Sequence, residues 1–154
     1  VVCDEVASES PVTCQLMLHG LSPFELDAAR QRLHLQRPKA GVLVQYLAPD
    51  PLEFKQWDGF QPKPMRGDFA NHWHVEAATG KGSRSVAVVT LLAPHRGATA
   101  PVVEAERVET ASAIGVRASV GGRKVVIGIR KAGIAGAATF PGAEFDRAVF
   151  VQLR

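Results

Sequence analysis

The chain has 154 residues, 46% of them hydrophobic and 21% charged, with a formal net charge of +3, so it can bury a core without disulfide or metal staples. Its lysines and arginines are scattered, which argues against a nucleic-acid partner and suits an anionic polymer such as a uronate-containing polysaccharide. No apolar segment approaches the ~18 residues a membrane span needs, so a soluble domain with no membrane partner is expected.

The opening "VVCDEV" has neither an initiator Met nor a charged-then-apolar leader, and reads as a chain from which something upstream was removed or as the tail of a longer protein. Cys3 and Cys14 flank the turn-like "ASESP". If a hairpin centres near Ser8 and Glu9, the two cysteines pair across it, and a cross-strand disulfide or two buried thiols both fit. "VTCQLMLHG" (12–20) then reads as a strand apolar on both faces that closes on His19, with Gln15, Met17 and His19 on one face. In the register that pairs Cys3 with Cys14, the position opposite His19 falls before Val1.

"SPFELDAARQRL" has helix-start chemistry, with Ser22 as N-cap, Pro23 at the first position and Glu25 three residues on, but "HLQRPKAGV" breaks the apolar stripe. The segment therefore reads as short strands at 24–28 and 32–36, with the helix as the alternative. Period-two runs continue at 41–47, 52–57 and 72–77, and in the last of these Trp73 and Val75 share one face while His72, His74 and Glu76 share the other. The segment 58–71, with two prolines and two glycines, is a long loop. "TGKGSRS" (79–85) lacks P-loop spacing and reads as a hairpin turn, and "RGD" (66–68) is too short to carry an adhesion function.

"SVAVVTLLAP" (85–94) is apolar on both faces, as a central strand should be. Strands at 102–108, 114–120 and 124–130 follow, the last two joined by Gly121 and Gly122 in a tight hairpin. "RAVFVQL" (147–153) closes the chain, and alternation assigns Val149, Val151 and Leu153 to the core side and Phe150 to the other. Roughly a dozen short strands with Gly/Pro turns predict an all-β, antiparallel sandwich forming one domain over 1–154.

No nucleophile motif, CxxC or local Ser/His/Asp signature is present. His72 and His74, two apart on one strand face, could share a metal with Glu76, or could simply line a polar strand face. His34 and His95 stand alone in strand and turn settings and read as surface or capping residues. Trp57, Phe60 and Trp73 are the aromatics that a sugar-binding face could use.

The order of several segments carries a family resemblance. "VVCDEVASESPVTCQLMLHGLSPFELD", followed by "FKQWDGFQPKP", "NHWHVEA" and "VAVVTLLAPHR", resembles the heparinase II/III-like polysaccharide lyases, in which a strand "vvvDel", a turn and a strand ending "wllHs" precede a tryptophan strand and a "vLxP" turn. The similarity covers about the first 95 residues, and the tryptophan expected before "llH" is missing from "CQLMLH". The resemblance implies a bacterial, periplasmic or secreted enzyme with an N-terminal helical toroid and a β-sandwich, of which this chain corresponds to the C-terminal part. It implies β-elimination on a uronate-containing polysaccharide by Tyr and His groups upstream, so this chain alone would be inactive and its partners would be the upstream domains or a companion chain. It further implies that His19 is one ligand of a structural Zn²⁺ whose other ligands lie upstream, with no metal held by this chain alone; stoichiometric metal on it would point instead to His72 and His74. A stand-alone carbohydrate-binding module and a structural interaction module are the alternatives.

Overall fold

The computed structural model describes residues 1–60, 62–63, 67 and 69–153. Among them there is no helix, and fourteen strands carry the fold. These are β1 (Val2–Val12), β2 (Gln15–Gly20), β3 (Glu25–Asp27), β4 (Arg32–Gln36), β5 (Ala40–Leu47), β6 (Leu52–Asp58), β7 (Trp73–Thr79), β8 (Ser83–Arg96), β9 (Val103–Glu109), β10 (Ala113–Val120), β11 (Arg123–Arg130), β12 (Ala138–Phe140), β13 (Ala143–Phe145) and β14 (Val149–Leu153). All pair antiparallel, in sheets ordered β1-β8-β5-β4-β3, β14-β11-β10-β9, β2-β7-β6 and β12-β13.

The five-stranded sheet lies in the middle of the antiparallel sandwich, and β8 shows why. Val86 and Val88 point to a first core shared with Val75 and Ala77 of β7 and Leu52 of β6. Val89, Leu91 and Ala93 point the other way, to a second core shared with Val103, Ile114 and Val116. The doubly apolar run therefore reflects two covering sheets, one on each face of β8. Arg32 ties the second interface by donating from Nη2 to the Val103 carbonyl at 2.5 Å. A third core forms where the β12-β13 hairpin covers the far side of the four-stranded sheet, with Phe140 and Phe145 against Val126 and Phe150.

Three sequence expectations change, and the two open readings, the cysteine pairing and the helix start, are decided. The first 20 residues are not a hairpin: β1 runs through Ser8 and Glu9 and pairs with β8, with a register shift between Ala7 and Val12 that accommodates Pro11, while β2 pairs with β7. Both cysteines are free, and they pack against different cores, Cys3 on the second and Cys14 on the first.

The helix-start pattern at Ser22 yields to tertiary bonding. The Phe24 N–H donates to Gln56 Oε1 at 2.7 Å and its carbonyl accepts from Gln56 Nε2 at 3.2 Å, which seats the Phe24 ring in the first core. Residues 79–83 turn the chain from the three-stranded sheet to the five-stranded one, so this turn is not a hairpin.

The last strand has its faces reversed. Phe150 packs on the third core, whereas Val149, Val151 and Leu153 are 48%, 56% and 78% exposed, because β14 is an outermost strand and this row reaches past its cover. The two-glycine turn is as expected: Gly121 and Gly122 have φ of 55° and 81°, and Val120 pairs with Arg123.

Candidate functional site

The outward face of the three-stranded sheet collects imidazole and aromatic side chains. Pairing places His19 of β2 opposite His74 of β7, and His74 opposite Trp57 of β6. In antiparallel sheets directly opposed residues share a face, so the three form a row across the sheet. The His19 and His74 rings meet edge to face at 4.4 Å, and the Trp57 indole stacks on His74 at 5.5 Å with planes 9° apart.

Phe60 extends the patch, lying 6.0 Å from His74 and 5.3 Å from His72, and Phe69, 61% exposed, sits 6.3 Å from Phe60. A second row on this face runs Met17, Glu76, Lys55, with Lys55 and Glu76 paired at 3.8 Å. The first core lies beneath, where Leu16, Leu18, Val75 and Phe54 hold the sheet down. The patch thus stands on a packed sheet, with its start anchored by Gly59 N–H to the His72 carbonyl at 3.0 Å and Asn71 Nδ2 to Asp58 Oδ2 at 3.0 Å.

His19 therefore faces a residue of this same chain. His74 Nε2 is buried without a hydrogen-bond partner beside it. Two imidazoles do not complete a four-coordinate zinc site, and among the described residues no group of three or more His, Cys, Asp or Glu could hold a metal ion. His72 precedes β7 and contacts Phe60. Trp73 is one residue out of phase with His74 and lies on the opposite face of β7, so the patch gathers Trp57 and Phe60 but not Trp73. Of "RGD", Arg66 and Asp68 lie outside the described residues.

Tyr46 is core, 3% exposed, in a cleft between β1 and β2 that also holds Asp4 and Thr90. Burial, and then the charge of Asp4, push its phenol up to about 12, the opposite of what a proton-abstracting tyrosine needs. Sequence reasoning missed one cluster. His34 and His95, which read as isolated, face each other with Nε2 atoms 3.1 Å apart, and Glu25 lies 3.2 Å from His34 Nδ1. The available signal was Gly41, a glycine opening the 41–47 strand run, where a missing side chain permits a close approach.

The chain matches no protein-family model and no curated protein. The outward patch and the five-stranded sheet's histidine pair are thus read from their own geometry.

Proposed function

We propose that this chain is a non-catalytic, carbohydrate-contacting β-sandwich portion of a heparinase II/III-like polysaccharide lyase acting on uronate-containing polysaccharide. The observation that carries the sugar-contacting role is the row His19, His74, Trp57 with Phe60 beside it. Flat apolar rings match the apolar face of a pyranose, and the exposed His19 imidazole and the neighbouring Lys55 offer partners to hydroxyls and carboxylates. The lyase assignment rests on the resemblance in the first 95 residues. In the parent enzyme His19 is the proposed Zn²⁺ ligand, with the remaining ligands from upstream; the described residues around His19 do not complete that site by themselves.

Catalysis belongs elsewhere in this reading, since the tyrosine available here is buried with a raised pKa. The exposed Val149, Val151 and Leu153 row favours a second role, packing on a neighbouring domain. The test uses the Trp73→Phe chain, which leaves Trp57 as its single indole, titrated with heparan, alginate and chondroitin oligosaccharides while fluorescence and unsaturated-uronate absorbance are followed. Saturable fluorescence change without new absorbance is expected. New absorbance, or a fluorescence response to none of the three, overturns the proposal.

A further inference from the structure

We infer that His34, His95 and Gln36 form a divalent transition-metal site on the five-stranded sheet, remote from the aromatic patch. The pairing register builds it. Gln36 of β4 lies opposite Gly41 of β5, and Gly41 lies opposite His95 of β8, so the three occupy one row; His34 sits on the same face of β4, two residues before Gln36. Because residue 41 has no side chain, His95 Nε2 and Gln36 Oε1 both look into the space above it, 2.5 and 2.7 Å from where a Cβ would stand.

Two lone-pair atoms, His95 Nε2 and Gln36 Oε1, border that space, and His34 Nε2 adjoins the first of them. The Gln36 amide is oriented by its nitrogen, which donates to the carbonyls of Arg37, Ala40 (3.4 Å) and Gly97 (3.0 Å), so Oε1 is directed inward, where it is buried without a partner. The two imidazole Nε2 atoms are 3.1 Å apart. Ligand nitrogens at ~2.05 Å from one ion subtend about 100° at that separation, within the range of a tetrahedral site. Glu25, 3.2 Å from His34 Nδ1, accepts its hydrogen and leaves Nε2 free to bind, the carboxylate–histidine arrangement that fixes ligand tautomers.

A single proton between the rings would pair the two Nε2 atoms but leave Gln36 Oε1 without a partner. A cation uses all three lone pairs and moves the His95 hydrogen to Nδ1, an atom that is buried and unpartnered in either case. Two imidazole nitrogens and an amide oxygen, with no thiolate, are borderline donors suited to Zn²⁺, Cu²⁺ or Ni²⁺, and the fourth position is left for water. Such an ion clips β4 to the end of β8 across β5. It departs from the expectation that this chain alone retains no metal.

The test is Zn²⁺ titration by calorimetry of the chelator-stripped chain at pH 7.5, with Cu²⁺ broadening of side-chain NMR signals as a second readout. One ion per chain is expected, with broadening centred on His34, His95 and the Gln36 amide. Gly41→Ala fills the space while meeting only side-chain ends, so it should fold and weaken binding by at least about tenfold, the effect typical of disturbing a site's geometry. His95→Ala should do the same, and His19→Ala should not. No stoichiometric binding to the unaltered chain overturns the site in favour of a shared proton. Binding that survives Gly41→Ala and disappears in His19→Ala or His74→Ala places the ion on the aromatic patch instead.

Discussion

Val88 and Val89 are adjacent on β8, 1% and 0% exposed, and they enter different cores. In a sandwich of two sheets one of the pair would face solvent, and its truncation would cost little. Here each Val→Ala change removes two buried carbons, ~1.6 kcal/mol of transfer free energy at about 0.8 per carbon. The vacated space adds a further cavity cost, because both surroundings are strands that relax only partly, so each variant should lose about 2–3 kcal/mol. The two side chains share no core, and the double variant should lose close to the sum. Urea unfolding followed by far-ultraviolet circular dichroism measures all three. A loss below about 0.5 kcal/mol for either single variant, the size of a surface substitution, would mean that one face of β8 is open and that the layered account is wrong.

Three more expectations follow from particular contacts. Phe150→Ala should cost about 2–4 kcal/mol, since the ring packs on Phe145 at 5.7 Å and on the third core, whereas Val151→Asp on the exposed row should cost under about 1 kcal/mol; the reverse order in unfolding midpoints would return β14 to its other face. A Cβ at Gly128 would stand 2.8 Å from Phe140 Cγ, so Gly128→Ala should destabilise by about 1–3 kcal/mol, less when combined with Phe140→Leu, and equal losses in the two backgrounds would refute the contact. The Lys131 ammonium, 2.6 Å from Glu109 Oε1, and Arg107 hold the Glu109 carboxyl below its ordinary value of 4.5. The unfolded chain therefore takes up this proton first, the stabilisation is whole above that value and is lost as pH falls below it, and Glu109→Gln should flatten the acid limb of stability against pH; an unchanged limb would remove the pair from the account.

Much of the architecture was legible because strand signals are local. Alternation located eleven of the fourteen strands within a few residues, and Gly121-Gly122 named its own turn. What was not legible depended on partners distant in the chain. Whether β1 turns back on β2 or runs on to meet β8 is decided by Val86 and Val88, some 80 residues away. Which face of β14 is buried depends on how far the five-stranded sheet extends over it, a tertiary fact that alternation does not encode. The short β12 and β13 escaped notice because three-residue strands carry too little pattern.

The site divides in the same way. His74 and Glu76 were assigned to one face of β7 and Val75 to the other by period two alone, and the structure keeps that division. That His19 and Trp57 would flank His74 required the order β2-β7-β6, which a single sequence does not reveal. His34 and His95 lie 61 residues apart and meet across β5 only because Gly41 leaves room.

The central claim, that the outward face of the three-stranded sheet contacts sugar, is tested most directly by NMR of the aromatic and methyl side-chain signals of the unaltered chain during titration with a defined uronate oligosaccharide. The account predicts saturable shifts at Trp57, Phe60, His19 and His74, with Trp73 and the Val149, Val151 and Leu153 row unmoved. Shifts confined to that valine-leucine row or to the Tyr46 cleft, or no shifts with heparan, alginate or chondroitin fragments, would contradict it.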